Sequence, residues 1–298
     1  MSHPVFKGII AYPVTPFSHD GSVDIATLER LIERLITRGS HAIAPLGSTG
    51  ESAYLSDIEW DEVAERSIRQ VAKRVPVVVG ISDLTTHNAV RRAKFAEAAG
   101  ADAVMVLPVS YWKLCEAEIF AHYAAIADAI TVPIMVYNNP ATSGIDMSPE
   151  FIVRLAREID NVTMVKESSG DIQRMHRLVQ LSDGQLPFYN GSNPLALEAL
   201  LAGATGWCTA APNLIPDWTL QLYENCATGK LTNARKVFYA QLPVLQFILQ
   251  GGLPTTIKGG LRLLGFEAGD PRAPLQPLAP ARCEALRTLL GPLNRRTG

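Results

Sequence analysis

The chain of 298 residues has almost no surplus of charge: 27 Lys and Arg stand against 29 Asp and Glu. No basic run interleaves with aromatics, so the electrostatic footprint of a nucleic-acid binder is missing. Cysteine is scarce as well. Cys115, Cys208, Cys226 and Cys283 stand too far apart for a zinc pair, and no basic segment followed by an apolar run and a cleavage site opens the chain, so reduced thiols in the cytoplasm are expected. The six histidines, His3, His19, His41, His87, His122 and His176, never fall into ligand spacing, and no metal is expected. Pro, Gly or Gln interrupts every apolar stretch well before the roughly 18 residues needed to cross a bilayer, which argues against a membrane span. No strand is followed by the glycine-rich dinucleotide fingerprint. A small molecule handled without a cofactor is the expected partner.

What is present is a large reserve of apolar residues, 47% against 19% charged, enough for a sizeable core. They are ordered as an alternation of short β-rich runs with longer amphipathic segments. Strands are predicted at 8–14, 41–46, 76–81, 103–107, 133–138, 162–167, 188–191 and 206–210. Between them lie helical stripes with recognisable starts: Asp24 before the first, the capping box of Ser56 and Glu59, Ser148 before Pro149, and Asp171, which reads as an N-cap rather than a catalytic acid. Gly100 marks a helix end. Runs such as Val77-Val78-Val79 and Val104-Met105-Val106 are continuously apolar, as strands covered on both faces must be. Eight βα units without a long break predict an α/β fold, a (β/α)8 TIM barrel closing at the eighth strand. Residues 1–212 are assigned to the barrel through strand eight. Residues 213–298 are assigned to the last barrel helix and an appended C-terminal helical region, helical over 220–249 and 261–290 with connectors at Gly251-Gly252 and from Pro271 to Pro280.

In a barrel the working residues sit at the C-terminal ends of strands. Three segments place polar chemistry there. Gly47-Ser48-Thr49-Gly50-Glu51 is a turn whose hydroxyls and backbone N–H groups could hold a carboxylate, although such turns are also ordinary loop chemistry. Lys166 ends an apolar strand on the same side as Val162 and Met164 by the period-two rule, which aims its amine into the barrel mouth. Desolvation there disfavours an ammonium and frees the lone pair that attacks a ketone to form a Schiff base; the competing reading is a lysine that snorkels to water. Tyr137 shares the facing of Met135 and Pro133, either as a proton carrier or as a packed strand aromatic.

Taken in order, Gly8, Thr15-Pro16-Phe17, Gly47-Ser48-Thr49-Gly50-Glu51, Tyr137-Asn138-Asn139-Pro140, Lys166-Glu167-Ser168-Ser169-Gly170-Asp171 and Gly203-Ala204-Thr205-Gly206 span nearly the whole chain. This pattern resembles the dihydrodipicolinate synthase and N-acetylneuraminate lyase family of class I aldolases. The resemblance implies a Schiff base between Lys166 and pyruvate or a related 2-oxo acid. It implies that Ser48 and Thr49 bind the carboxylate, that Tyr137 moves protons, that the backbone carbonyl of Cys208 faces the site, and that the protein is a homo-oligomer, a tetramer in the family.

The chain also departs from its relatives. Dihydrodipicolinate synthases carry an arginine two residues after the proline, where Thr142 stands here, and a threonine cannot form a bidentate clamp on a carboxylate. A genuine dihydrodipicolinate synthase is therefore not expected. The acidic pair with which sialic acid lyases hold sugar hydroxyls is replaced by Ser192 and Asn193 after Gly191. The tyrosine pair after the proline of strand four is replaced by Val109-Ser110-Tyr111-Trp112, and Tyr111 is the candidate for the relay that in the family enters a neighbouring subunit. Thr142, Ser143, Gly191, Ser192 and Asn193, with Tyr54 and Trp112, make a neutral distal pocket. A Schiff-base lyase or aldolase is expected. The alternatives are a 2-keto-3-deoxy sugar acid dehydratase, a hydroxy-pyrroline-carboxylate deaminase, 4-hydroxy-tetrahydrodipicolinate synthase, and a non-catalytic 2-oxo acid binding barrel.

Overall fold

The computed structural model describes residues 6–294; of the residues discussed above, His3 lies outside them. Eight short strands, β1 (Gly8–Ala11), β2 (Ala42–Ile43), β3 (Val78–Gly80), β4 (Ala103–Val106), β5 (Ile134–Asn138), β6 (Val162–Glu167), β7 (Phe188–Asn190) and β8 (Gly206–Thr209), form one sheet in the order β2-β1-β8-β7-β6-β5-β4-β3. All paired neighbours are parallel. A parallel bridge between Ile43 and Val77 joins the two ends and closes the barrel.

Helices alternate with the strands: α1 (Ile25–Thr37), α2 (Asp57–Val71), α3 (Thr86–Ala99), α4 (Glu116–Ala127), the single turn α5 (Pro140–Ser143), α6 (Pro149–Glu158), α7 (Ile172–Leu181), α8 (Ala196–Leu201) and α9 (Pro216–Ala227). Their starts follow the capping chemistry of the sequence. Asp24 accepts the Thr27 N–H at 2.9 Å, Ser148 that of Phe151 at 3.1 Å, and Asp171 that of Gln173 at 2.9 Å. Ser56 and Glu59 form the reciprocal box, and Gly100 ends α3 at φ +100°.

The core has two layers because successive strand residues face opposite sides of a sheet. Ile10, Ala42, Ala44, Val78, Ala103, Met105, Met135 and Met164 fill the barrel, while Ile9, Ile43, Val79, Val104, Val136 and Val165 pack outward beneath the helices. One facing differs from the period-two expectation. Val162 belongs to the outer layer although Met164 and Lys166 point inward, because the β5–β6 register shifts: Ile134 pairs with Val162, yet Met135 pairs with Met164. Thr163 is the extra residue of this bulge.

Beyond α9 follow α10 (Leu231–Gly251), α11 (Leu253–Leu263) and α12 (Pro280–Asn294). The helical stretch expected over 220–249 is thus two helices, broken where Gly229 takes φ +71°. The next helix begins directly after Gly252 (φ +80°) rather than at residue 261, since Pro254 fits a first helical turn.

The connector between α11 and α12 returns to the barrel mouth. Arg272 grips Glu59 with both guanidinium nitrogens, at 2.7 and 2.9 Å, and donates to the carbonyls of Tyr54 and Gly21. Arg272 and the capping contacts of Ser56 hold the Glu59 carboxyl down at about 2, against an ordinary 4.5. A depressed carboxyl contributes stability that is present above its unfolded value and lost as pH falls through its folded one. Glu59→Gln is expected to cost about 1–2 kcal/mol at neutral pH. In urea titrations its deficit against the unsubstituted chain should shrink as pH drops from 4.5 towards 2; a deficit independent of pH would show that Glu59 is not held by charge.

Candidate active site at the C-terminal ends of the strands

Lys166 and Tyr137 are register partners near the ends of β6 and β5. Both are buried, at 6% and 3% exposure. Lys166 Nζ lies 3.9 Å from the centroid of the Tyr137 ring and 3.9 Å from that of Tyr12, two residues from Ile10 on the inward side of the first strand segment. Among the described residues no carboxylate forms an ion pair with Lys166. The Tyr137 hydroxyl accepts a hydrogen bond from Asn139 Nδ2 at 2.7 Å, which fixes its oxygen and leaves its own proton free to be donated. Gly191, at the end of β7, makes this packing possible: a Cβ there would sit 2.9 Å from Lys166 Cε and closer still to the Ser168 hydroxyl.

The Gly47–Glu51 turn lies at the β2 end of the same rim. Ser48–Gly50 form one tight turn, with the Gly50 N–H donating to the Gly47 carbonyl at 3.0 Å and the Thr15 hydroxyl to the Gly50 carbonyl at 2.6 Å. Thr49 is buried and Ser48 half-buried. Leu46 and Glu51, on either side, both take left-handed backbone (φ 61° and 55°), a conformation that costs a side-chain-bearing residue about 1–2 kcal/mol.

What holds the turn in that shape comes from the far end of the chain. The Glu51 carboxylate, fully buried, pairs with Lys258 Nζ of α11 at 2.7 Å, and its other oxygen accepts the Arg272 N–H at 2.7 Å. Lys258 also donates to the Asp270 carbonyl at 3.1 Å and lies 4.0 Å from the centroid of the Phe17 ring, whose plane Arg272 stacks on as well. Burial pushes the Lys258 amine down from its usual range, opposed by Glu51. Neither Lys258 nor Tyr12 stands out in the sequence as a site residue. Tyr12 could have been found by the alternation that singles out Tyr137; Lys258 is one lysine on a helix, and nothing local points to Glu51.

The remaining expected residues are dispersed. Cys208 sits in the barrel interior beside Tyr12, its thiol pushed up by burial. Thr142 is exposed on α5, and the Ser143 hydroxyl is engaged with the backbone of Asn139 and Ile145. Ser192 exchanges hydrogen bonds with Asn190, and Asn193 is turned behind the sheet, its Oδ1 taken by Thr209 Oγ1 at 2.7 Å and Trp207 Nε1 at 3.3 Å. Tyr111 (89% exposed) and Trp112 (78%) stand edge to face in solvent, and the single chain does not bring them to Lys166. Tyr54 is exposed, with its carbonyl bound to Arg272. Arg174 is committed: it pairs with Asp146 at 3.0 Å and Glu167 at 3.4 Å and donates to the Met147 carbonyl.

Comparison with known proteins gives a consistent set of relatives. The profile of the dihydrodipicolinate synthetase family matches residues 5–291. The chain is 34% identical over 289 residues to the 4-hydroxy-tetrahydrodipicolinate synthase of Methanoculleus marisnigri, covering 96% of this chain and 99% of the relative. Among solved structures it is similar to a Pseudomonas aeruginosa protein, with 63% identity and a TM-score of 0.96 over 97% of this chain and 100% of the other. It is also similar to the dihydrodipicolinate synthase of Acinetobacter baumannii solved in complex with pyruvate, with 31% identity and a TM-score of 0.93 over 97% and 99% of the two chains.

The Glu51–Lys258 contact generates a stability prediction. Lys258→Met leaves the Glu51 carboxylate buried without its cation and should cost about 3–5 kcal/mol in equilibrium urea unfolding. Adding Glu51→Gln should restore a substantial part of the loss. A single variant within about 1 kcal/mol of the parent would mean that the pair does not brace the turn.

Proposed function

The chain belongs to the dihydrodipicolinate synthetase family, and from that premise we propose that it is a Schiff-base-forming lyase of the class I aldolase type that uses Lys166 on pyruvate or a related 2-oxo acid. The observation that carries this reading is the contrast between the two buried lysines. Lys258 has a carboxylate at 2.7 Å, as a structural buried ammonium needs. Lys166, buried to a similar depth, has no carboxylate partner among the described residues and lies against the rings of two tyrosines, Tyr12 and Tyr137. A lysine left without a counter-charge beside a proton carrier suits attack on a ketone, not packing and not an exit to water.

In this reading the Ser48–Thr49 turn, with its hydroxyls and N–H groups, receives the carboxylate of the 2-oxo acid and sets its keto carbon before Lys166. Tyr137 donates its proton as the keto oxygen leaves and takes it back in the reverse step, a contribution of about 10² to 10⁴ in rate. The resulting imine draws electrons from the adjacent carbon, which can then break or form a bond. No cofactor is required. The reading includes a cytoplasmic setting and a homo-oligomer, a tetramer by the family resemblance, in which a second copy would cover the exposed Tyr111–Trp112 pair.

The second substrate is expected to lack a carboxylate. Thr142 is neutral, and Arg174, the basic residue nearest in sequence to Lys166, is already engaged by Asp146 and Glu167. The names of the curated relatives favour a competing reading, condensation with aspartate semialdehyde as a 4-hydroxy-tetrahydrodipicolinate synthase.

Two experiments test these statements. Incubation with pyruvate and borohydride should add a 1-carboxyethyl group to Lys166 and abolish activity, and Lys166→Ala should not be labelled; a label elsewhere in the mass map removes the assignment. Thr142→Arg should raise kcat/KM for aspartate semialdehyde about tenfold or more, the value of a charged hydrogen bond, with little change for a neutral aldehyde. Efficient condensation with aspartate semialdehyde by the unsubstituted protein would instead establish the synthase reading.

A further inference from the structure

Among the described residues, Tyr12 is an aromatic side chain packed against Lys166 Nζ that the mechanism above leaves idle. It is 2% exposed and held at both ends of its backbone: its N–H donates to the Thr209 carbonyl at 3.1 Å and its carbonyl accepts from Asn213 Nδ2 at 2.9 Å. The hydroxyl donates to Met105 Sδ at 3.1 Å. The ring is directed at Lys166, with its centroid 3.9 Å from Nζ, the same distance as that of Tyr137. Its other flank fills the space that Gly47 leaves open, where a Cβ would lie 2.8 Å from the ring. The Tyr12 ring is therefore a rigid wall running from the lysine nitrogen to the turn assigned to the carboxylate.

We propose that Tyr12 is a catalytic residue that acts through the face of its ring, stabilising with Tyr137 the positive charge that appears on Lys166 Nζ when the imine forms. The inference rests on the Schiff-base reading. In the first half of that step the amine lone pair adds to the keto carbon, the carbonyl π pair moves to oxygen, and a proton passes from nitrogen to oxygen, which gives a neutral carbinolamine. In the second half the carbon–oxygen bond breaks, the hydroxyl leaves as water with one proton from Tyr137, and the nitrogen lone pair closes the C=N bond. Tyr137 then carries a negative charge until it is reprotonated, and the nitrogen carries one hydrogen and the matching positive charge. Among the described residues no carboxylate forms an ion pair there to receive it; two π faces do lie there, and a ring quadrupole attracts a desolvated cation strongly. The phenol itself is unsuited to proton transfer, since burial first, then Cys208, pushes it well above its ordinary value of 10.

The test measures imine formation at equilibrium by borohydride trapping across a pyruvate titration. Tyr12→Phe keeps the ring and should leave half-saturation within about twofold, whereas Tyr12→Leu should raise it about tenfold. A series of increasingly fluorinated phenylalanines at position 12 keeps the ring's shape while draining its face, and should weaken trapping step by step. Binding of lactate, which has no ketone and forms no imine, should stay constant throughout. The inference is overturned if the fluorinated series is flat, if Tyr12→Phe loses as much as Tyr12→Leu, or if lactate binding falls in parallel, which would make Tyr12 a packing residue of the turn. If the unsubstituted protein is not labelled at Lys166, the Schiff-base reading fails first; if it is labelled and the series is flat, only the role of Tyr12 fails.

Discussion

A closed parallel barrel offers each strand residue only two directions, and every inward side chain must share one small volume with those of seven other strands. Ile10, Val78, Met105, Met135, Met164, Tyr189 and three alanines share that volume. A lysine can enter it only where neighbours give way. Gly191 removes a Cβ from the path of Lys166 Cε, Gly47 removes one from the Tyr12 ring, and Tyr12 and Tyr137 take up the space so released. The environment of Lys166 is a consequence of these exchanges of volume between β1, β5, β6 and β7. Its electrostatic character follows from the same constraint, because the groups packed against its nitrogen are tyrosine rings, not carboxylates.

The two buried lysines show what a protein does with a charge out of water. At Lys258 the desolvation is offset locally by Glu51, the Asp270 carbonyl and the face of Phe17, and the group serves to brace a turn. At Lys166 no carboxylate among the described residues pairs with the nitrogen, which lies against two tyrosine rings instead. Neighbouring polar groups have been settled elsewhere: Glu167 is bound by Asn138, Arg174 and the Ser169 N–H, on the outer face of the sheet. A carboxylate one residue from Lys166 is thus kept out of its reach by strand alternation.

Much of this was legible in the sequence because its signals are local. Asp24, the Ser56–Glu59 box, Ser148 and Gly100 mark helix limits within one turn, and eight repeats of one pattern predict the barrel. Lys166 and Tyr137 were legible as polar interruptions at apolar strand ends. The facing of Val162 was not, since a bulge inserts one residue without any cue in composition. Asn193 reads as a pocket residue but is consumed by Trp207 and Thr209, which only the register of β7 with β8 brings near. Lys258 was invisible because its meaning lies in Glu51, on the other side of the barrel mouth.

The brace on the Gly47–Glu51 turn has a bearing on how the protein is made. Arg272 and Glu51 are separated by 221 residues, so a ribosome has finished most of the chain before the clamp exists. Until then the two left-handed residues, Leu46 and Glu51, lack the contacts with Lys258 and Arg272 that offset their strain. Closing so distant a contact is slow in itself, since chain entropy is lost before the contact returns anything. The Gly47–Glu51 turn is therefore braced only once the C-terminal part of the chain has been made, and a translation product that stops short of Lys258 would leave its strain without a counterweight.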